Sequence, residues 1–177
     1  NSFCNALLNS YKKGAEDAKY NVKVLKIGEL NFDPILHNGY RKIQELEPDL
    51  VRAQEEIIWA DHMVWIYPTW WSSLPALLKG FLDRIMLPGF GFKFHKNSPL
   101  WDKLLTGKTA EIIVTMDGPV WFYWFKYGFP GIKVLKKAIF NFCGIKVTRV
   151  VKIDNVKNKN KKQLQKELKQ IYKLGNK

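Results

Sequence analysis

The sequence predicts an α/β domain in which helices cover both faces of a doubly wound parallel sheet, and three observations carry that prediction. Strand-like and helix-like segments alternate along the chain, a pattern that right-handed crossovers fold into three layers, α/β/α. The run His62 to Tyr67 is almost unbroken in its apolar character and ends at Pro68, as a strand covered on both faces does. A chain of 177 residues with 46% hydrophobic and 25% charged side chains suits one globular core rather than a disordered or fibrous chain.

Ser2 to Ala18 reads as a helix, because Phe3, Ala6, Leu7, Tyr11 and Ala15 recur at helical steps behind Ser2 as N-cap. Asn21 to Ile27 alternates like a strand. Pro34, Asn38 and Gly39 punctuate a loop, and Pro48 opens a helix to about Ala60 with an apolar face of Leu50, Ala53, Ile57 and Ile58. Beyond the strand at 62–67, Pro75 suits the first turn of a helix from Ala76 to Met86, which Pro88 and Gly89 stop. Lys108 to Met116 is a strand, Gly131 to Phe142 a helix and Thr148 to Ile153 a last strand. Lys157 to Lys173 closes the chain as a helix with Leu164, Leu168, Ile171 and Tyr172 on one side.

Composition narrows the function. Cys4 and Cys143 have no metal-ligand spacing, so no metal site is expected, and free thiols in a reducing cytoplasm are the simplest reading. Asp, Lys or Arg interrupts every apolar stretch before the length of about 18 residues that a membrane-spanning helix needs. The net charge of +13 is unevenly spread: Lys152 to Lys177 holds nine lysines against Asp154 and Glu167, or +7. Such a run is usually a solvated helix face, and the active alternative is a patch for phosphates or anionic lipid. Nucleic-acid binding is not expected, since no recognition element accompanies the charge.

The segment Tyr67-Pro68-Thr69-Trp70-Trp71, with the following Leu74-Pro75-Ala76-Leu77-Leu78-Lys79-Gly80-Phe81-Leu82-Asp83-Arg84, resembles a known pattern. It is similar to P-x-x-W and then P-A-x-L-K-x-x-x-D-[RK] of the flavodoxin-like NAD(P)H:quinone oxidoreductases, a family that includes ancillary subunits of potassium-efflux systems. Ile112 to Pro119 resembles that family's strand-end loop T-T-G-G, with Asp117 in place of the first glycine. Asn1-Ser2-Phe3 resembles the S-F after its first strand, and Gly128-Phe129-Pro130-Gly131 and Asn141 to Ile145 match it again. The resemblance runs from Ser2 to about Val151.

It implies a flavodoxin-like flavin-binding domain over 1–153, with 154–177 as a lysine-rich helix or tail. The cofactor would be FMN or FAD and the co-substrate NAD(P)H. The acceptor would be quinone-like, reached by hydride transfer through the flavin. Pro68, Thr69, Trp70, Trp71 and Ser72 would lie along the isoalloxazine ring, with Trp71 packed near it; Thr115, Met116, Asp117 and Gly118 would lie beside it; Ser2 and Phe3 would hold the phosphate. Elementary physics agrees, since open α/β sheets bind ligands beyond the carboxyl ends of their strands and free N–H groups there stabilise negative charge. The aromatic loop Val120 to Phe129 would form a wall over flavin and substrate and touch the other subunit of a homodimer, with Tyr123 as the lid residue nearest the chemistry. Blander readings stand beside these: Trp70 and Trp71 as core aromatics, Asp117 as a turn former, Ser2 as a plain N-cap, and the aromatic loop as core packing or a membrane-interface anchor. The family's histidine in that loop is replaced, by Pro130 or a neighbour, and no proton relay is assigned. A second function shares the fold: a regulatory subunit of a membrane transporter, in peripheral membrane contact through the basic tail. One feature of the family is absent from the sequence, which begins on a helix where the sheet order 2-1-3-4-5 calls for a first strand; truncation or missing sequence is the expectation, and Asn21 to Ile27 taking that role in a smaller sheet is the alternative.

Overall fold

In a computed structural model, which describes residues 2–177 and so leaves Asn1 outside, three parallel strands form the sheet. They are β1 (His62–Pro68), β4 (Thr109–Thr115) and β5 (Lys146–Ile153), in the order β1-β4-β5. A register of Trp65 opposite Ile112 and Ile112 opposite Val150 makes β4 central. Its residues Ala110 to Thr115 are all buried, as a central strand covered on both faces is, with Glu111 and Thr115 the polar members. Alternation along the strands then sorts side chains between two cores.

One core lies under α2 (Pro48–Trp59), α3 (Ala76–Ile85) and a helical stretch at 130–143, and takes in Met63, Tyr67, Ile112 and Val114. The other lies under α1 (Phe3–Asp17) and α7 (Lys161–Gly175), where Leu7 and Ile171 close on Ile113 and Ile153. Helices on both faces of a parallel sheet make the predicted α/β/α sandwich. A Cβ on Gly14 would stand 2.1 Å from the Tyr172 carbonyl oxygen, and one on Gly175 would stand 2.2 Å from that of Tyr11. Two glycines thus let α1 and α7 touch backbone to backbone. The one carboxylate of β4, Glu111, is satisfied by the Tyr11 hydroxyl at 3.3 Å and Arg149 Nε at 3.5 Å. Burial, followed by the neighbouring carboxylate, pushes the Tyr11 phenol up.

Arg84 of α3 is fully buried and fastens the long connection before α2. It donates to Glu47 Oε2 at 2.8 Å, to the Glu45 carbonyl at 2.9 Å and to the Asp33 carbonyl. Burial pushes the Glu47 carboxyl up, yet the hydrogen bonds from Arg84 and the Asp33 N–H outweigh it and hold the group below the usual carboxylate range.

Three sequence expectations need correction. Asn21 to Ile27 is not a strand: 20–26 has no ladder, and Ile27–Glu29 is a single 3-10 turn. Leu25 and Ile27 still pack on the core. The alternation therefore reflects one-sided burial, while a strand also needs a neighbouring backbone to pair with, and none of the described strands lies beside it. The aromatic stretch is not a loop but α4 (Val120–Tyr127), entered behind Pro119 and ended by Gly128 at φ +65°, whose N–H bonds the Tyr123 and Trp124 carbonyls. The helix after Pro130 is α5 (Pro130–Lys133) and α6 (Asn141–Cys143) joined by a π-helical stretch, Val134–Phe140. The short hairpin of β2 (Phe92–Phe94) and β3 (Trp101–Lys103) has no counterpart among the sequence expectations.

Candidate cofactor site at the carboxyl end of the sheet

Thr115, the last residue of β4, joins three segments. Its carbonyl accepts the Thr69 N–H at 2.7 Å, and its hydroxyl lies 3.5 Å from the Cys4 thiol in the first turn of α1. Next to it, Met116 N–H donates to the Ile153 carbonyl at 2.9 Å, which ties in the end of β5. The loops after β1 and β4 and the start of α1 therefore meet at one end of the sheet. Burial, only partly offset by the Thr115 contact, keeps the Cys4 thiol above its ordinary value, so it stays a neutral lining group.

The loop after β1 holds the most unusual backbone in the molecule. Trp70 N–H donates to the Ser73 carbonyl at 3.2 Å and Ser73 N–H to the Trp70 carbonyl at 2.9 Å, closing a two-residue turn. Trp71 and Ser72 between them have φ of +50° and +59°. This is the left-handed pattern of a type I′ turn, where Asn and Gly are usual and an aromatic residue is an outlier. Trp71 is fully exposed and Trp70 60% exposed, so neither indole caps the core. The turn is propped from behind by Gly131 of α5, whose N–H reaches the Ser72 carbonyl at 3.2 Å; a Cβ there would stand 2.9 Å from Ser73 Cα.

On the other side, α4 lies over the loop after β4. Tyr123 is half-buried against Gly118, where an added Cβ would be 2.9 Å from Tyr123 Cε2. Val120 N–H at the helix start donates to Asp154 Oδ2 at 2.9 Å. Lys159 then pairs with Asp154 at 3.6 Å and Glu167 at 2.9 Å, which joins α4 to α7. No residue of α4 is buried, and Trp121, Trp124 and Phe125 are 68%, 67% and 80% exposed. Phe129, at φ +55°, faces the Lys152 ammonium at 5.2 Å, and an open cleft runs from there along Trp121 and Trp124.

The backbone donors at this end are underused. Among the described residues the N–H groups of Trp71, Ser72, Asp117 and Gly118 make no backbone hydrogen bond. Those of Phe3 and Cys4 lie in the first turn of α1, where a helix offers no internal acceptor. In the core at the end of β1, Tyr67 is 3% exposed and its hydroxyl is buried and unpaired; burial pushes its pKa up, so it remains a neutral donor.

The structure thus brings Ser2, Phe3, Pro68, Thr69, Trp70, Trp71, Ser72, Thr115, Met116, Asp117, Gly118 and Tyr123 to one end of the sheet. Ser2 is also an N-cap, its Oγ accepting the Asn5 N–H at 3.2 Å. Met116 is 3% exposed and serves the core rather than the cleft. Asp117 is exposed. The sequence reading passed over Asp154, Gly131 as the prop of the turn, and Tyr67. An acid directly after the last strand of an open sheet, and a glycine directly after a proline at a helix start, were the available signals.

A parallel sheet whose carboxyl end presents free amides and a helix N-terminus defines a cofactor-binding α/β domain. The family profile described as "Flavodoxin-like fold" matches residues 1–174, and the chain belongs to that family. A Haemophilus influenzae protein called "Uncharacterized NAD(P)H oxidoreductase" is 30% identical over 154 residues, 81% of this chain and 72% of that protein. Human "Ribosyldihydronicotinamide dehydrogenase [quinone]" is 32% identical over 125 residues, 66% of this chain but only 51% of its own length. Thus the chain spans about half of the human relative. Among solved structures, Smu.1420 from Streptococcus mutans UA159 superposes with a TM-score of 0.83 at 26% identity, over 99% of this chain and 93% of that one.

Proposed function

We propose that this chain is a flavin-dependent NAD(P)H oxidoreductase that delivers a hydride to a quinone or similar small-molecule acceptor, with FMN or FAD as cofactor. The observation that carries this reading is the left-handed turn at Trp71 and Ser72, with its unpaired amides, at the carboxyl end of β1. Strained non-glycine backbone persists where the surrounding structure enforces it, and it clusters at ligand clamps and active sites. The relatives named for NAD(P)H and quinone chemistry support the same class.

When bound, a flavin supplies the two-electron step between NAD(P)H and acceptor. The chain supplies the setting. Amides of Trp71, Ser72, Asp117 and Gly118 offer donors to an electron-rich ring edge, and Pro68, Thr69 and Trp70, the last two with their N–H groups held by the Thr115 and Ser73 carbonyls, fix the loop along that edge. Ser2, Phe3 and the α1 N-terminus offer the phosphate a dipole worth about 0.3–1 kcal/mol at an exposed site. Thr115 holds these segments together. Tyr123, set on Gly118, would cover the loop after β4 as the lid residue, and no side chain is assigned as acid or base. The uncovered aromatics of α4 exceed what a monomer normally leaves in water, and a second copy of the chain covers them. Light scattering at micromolar concentration should therefore report a dimer; a monomer would remove that part of the proposal.

The purified chain should be yellow, release FMN or FAD on denaturation and oxidise NADH or NADPH when a quinone is added. Absorbance, mass spectrometry of the released cofactor and a steady-state assay check this in turn. A colourless protein that takes up neither flavin on titration would contradict the proposal.

A further inference from the structure

The outward face of α7 carries lysine as its only charged residue. Lys162, Lys166, Lys169 and Lys173 are all exposed. Their steps of four, three and four residues place them within an arc of about 60° along about 16 Å of helix. On the opposite side of the same helix, Leu168, Ile171 and Gly175 meet the sheet and α1. The row therefore points straight away from the body. Exposed Gln165 and Gln170 flank it, and the one acid of the helix, Glu167, turns to Lys159 at 2.9 Å.

Two lysines on other helices are neutralised: Lys12 faces Glu16 and Lys79 faces Asp83, each one turn apart. On α7 the neighbours one turn apart are Lys162 with Lys166 and Lys169 with Lys173, like-charged pairs that weaken a helix. Among the described residues none of the four has an acidic partner. The helix tolerates the repulsion because its other face is held by burial and by the contact at Gly14 and Gly175.

We propose that this row is a docking surface for an anionic lipid bilayer. A straight row on a convex outer helix touches a plane along its whole length, and lysines near an anionic leaflet each add to adsorption. No helix of the described residues is long and apolar enough to cross a membrane, so the contact is superficial and electrostatic. Nucleic acid is the poorer fit. The helix has no arginine, and its one aromatic residue, Tyr172, is half-buried with its hydroxyl donated to Asp17 at 2.7 Å, leaving no ring on the outer face for bases to stack on.

Co-sedimentation of the full chain with vesicles tests the proposal, using phosphatidylcholine alone and phosphatidylcholine with phosphatidylserine, at low and at physiological salt. The wild-type chain should bind only the phosphatidylserine vesicles and release as salt rises. The variant Lys162→Gln/Lys166→Gln/Lys169→Gln/Lys173→Gln should lose at least about a hundredfold in partition, with circular dichroism unchanged. A second quadruple variant, Lys93→Gln/Lys96→Gln/Lys103→Gln/Lys146→Gln, removes equal charge from elsewhere and should lose far less. Equal binding to both vesicle types, equal losses in the two variants, or tighter binding of a DNA duplex than of phosphatidylserine vesicles through the α7 row would each overturn it.

Discussion

The same three strands end in two different ways. At the amino end of the sheet nearly every polar group is spent on the chain itself. Thr109 N–H bonds the Asp61 carbonyl at 3.0 Å, Lys146 N–H bonds the Lys108 carbonyl at 2.9 Å, and His62 Nδ1 lies 2.7 Å from Thr109 Oγ1. Lys108 Nζ caps the end of α2 on the Ile58 and Ala60 carbonyls at 2.6 and 2.7 Å. At the carboxyl end the balance is reversed: amides lie free, Trp71, Ser72 and Phe129 sit at positive φ, and indoles stand in solvent. One end is arranged for stability and the other leaves donors and apolar surface for something else, which is the division expected of open α/β sheets.

Substitutions at the two ends should separate stability from cofactor binding. The largest effect is expected for Gly131→Val, whose side chain would run into the backbone of Ser73 and Leu74. It should cost about 2–3 kcal/mol of stability and abolish flavin binding, read by denaturant melts and flavin titration on one preparation. Lys108→Ala should cost about 1–2 kcal/mol, because it strips a charged donor from two carbonyls at the end of α2. Flavin affinity should not change. A fall in affinity for Lys108→Ala equal to that for Gly131→Val would erase the distinction between the ends.

Much of the fold was legible because burial leaves a plain trace. The run at 62–67 is a strand as expected, though as the edge of the sheet it is only partly buried, with Met63 and Tyr67 inside; the central strand at 109–115 is buried from Ala110 on, and Ser2 and Pro48 marked helix starts that the structure keeps. What escaped reading depends on partners distant in sequence or on faces left bare. Asn21 to Ile27 has the alternation of a strand but no neighbour. Trp121 to Tyr127 shows no polar stripe, so its helical period was invisible, and only Pro119 and Gly128 bracketed it. The residues of the site followed from resemblance to a pattern, whereas its geometry did not. Left-handed turns are normally announced by Gly or Asn, and here Trp71 and Ser72 hold one without either.

That turn offers the most direct measurement. Trp71 is fully exposed at φ +50°, so its indole contributes little to the core while its backbone conformation costs about 1–2 kcal/mol in an L-residue. Trp71→Gly removes that strain and the ring together. If the turn is kept for a cofactor, this variant should melt at or above the wild-type temperature, with its stability raised by up to about 1 kcal/mol, yet bind FMN or FAD at least about tenfold more weakly. Parallel melts and flavin titrations decide the matter. A variant that binds flavin as tightly as the wild type would contradict the assignment of the turn, and with it the placement of the site at this end of the sheet.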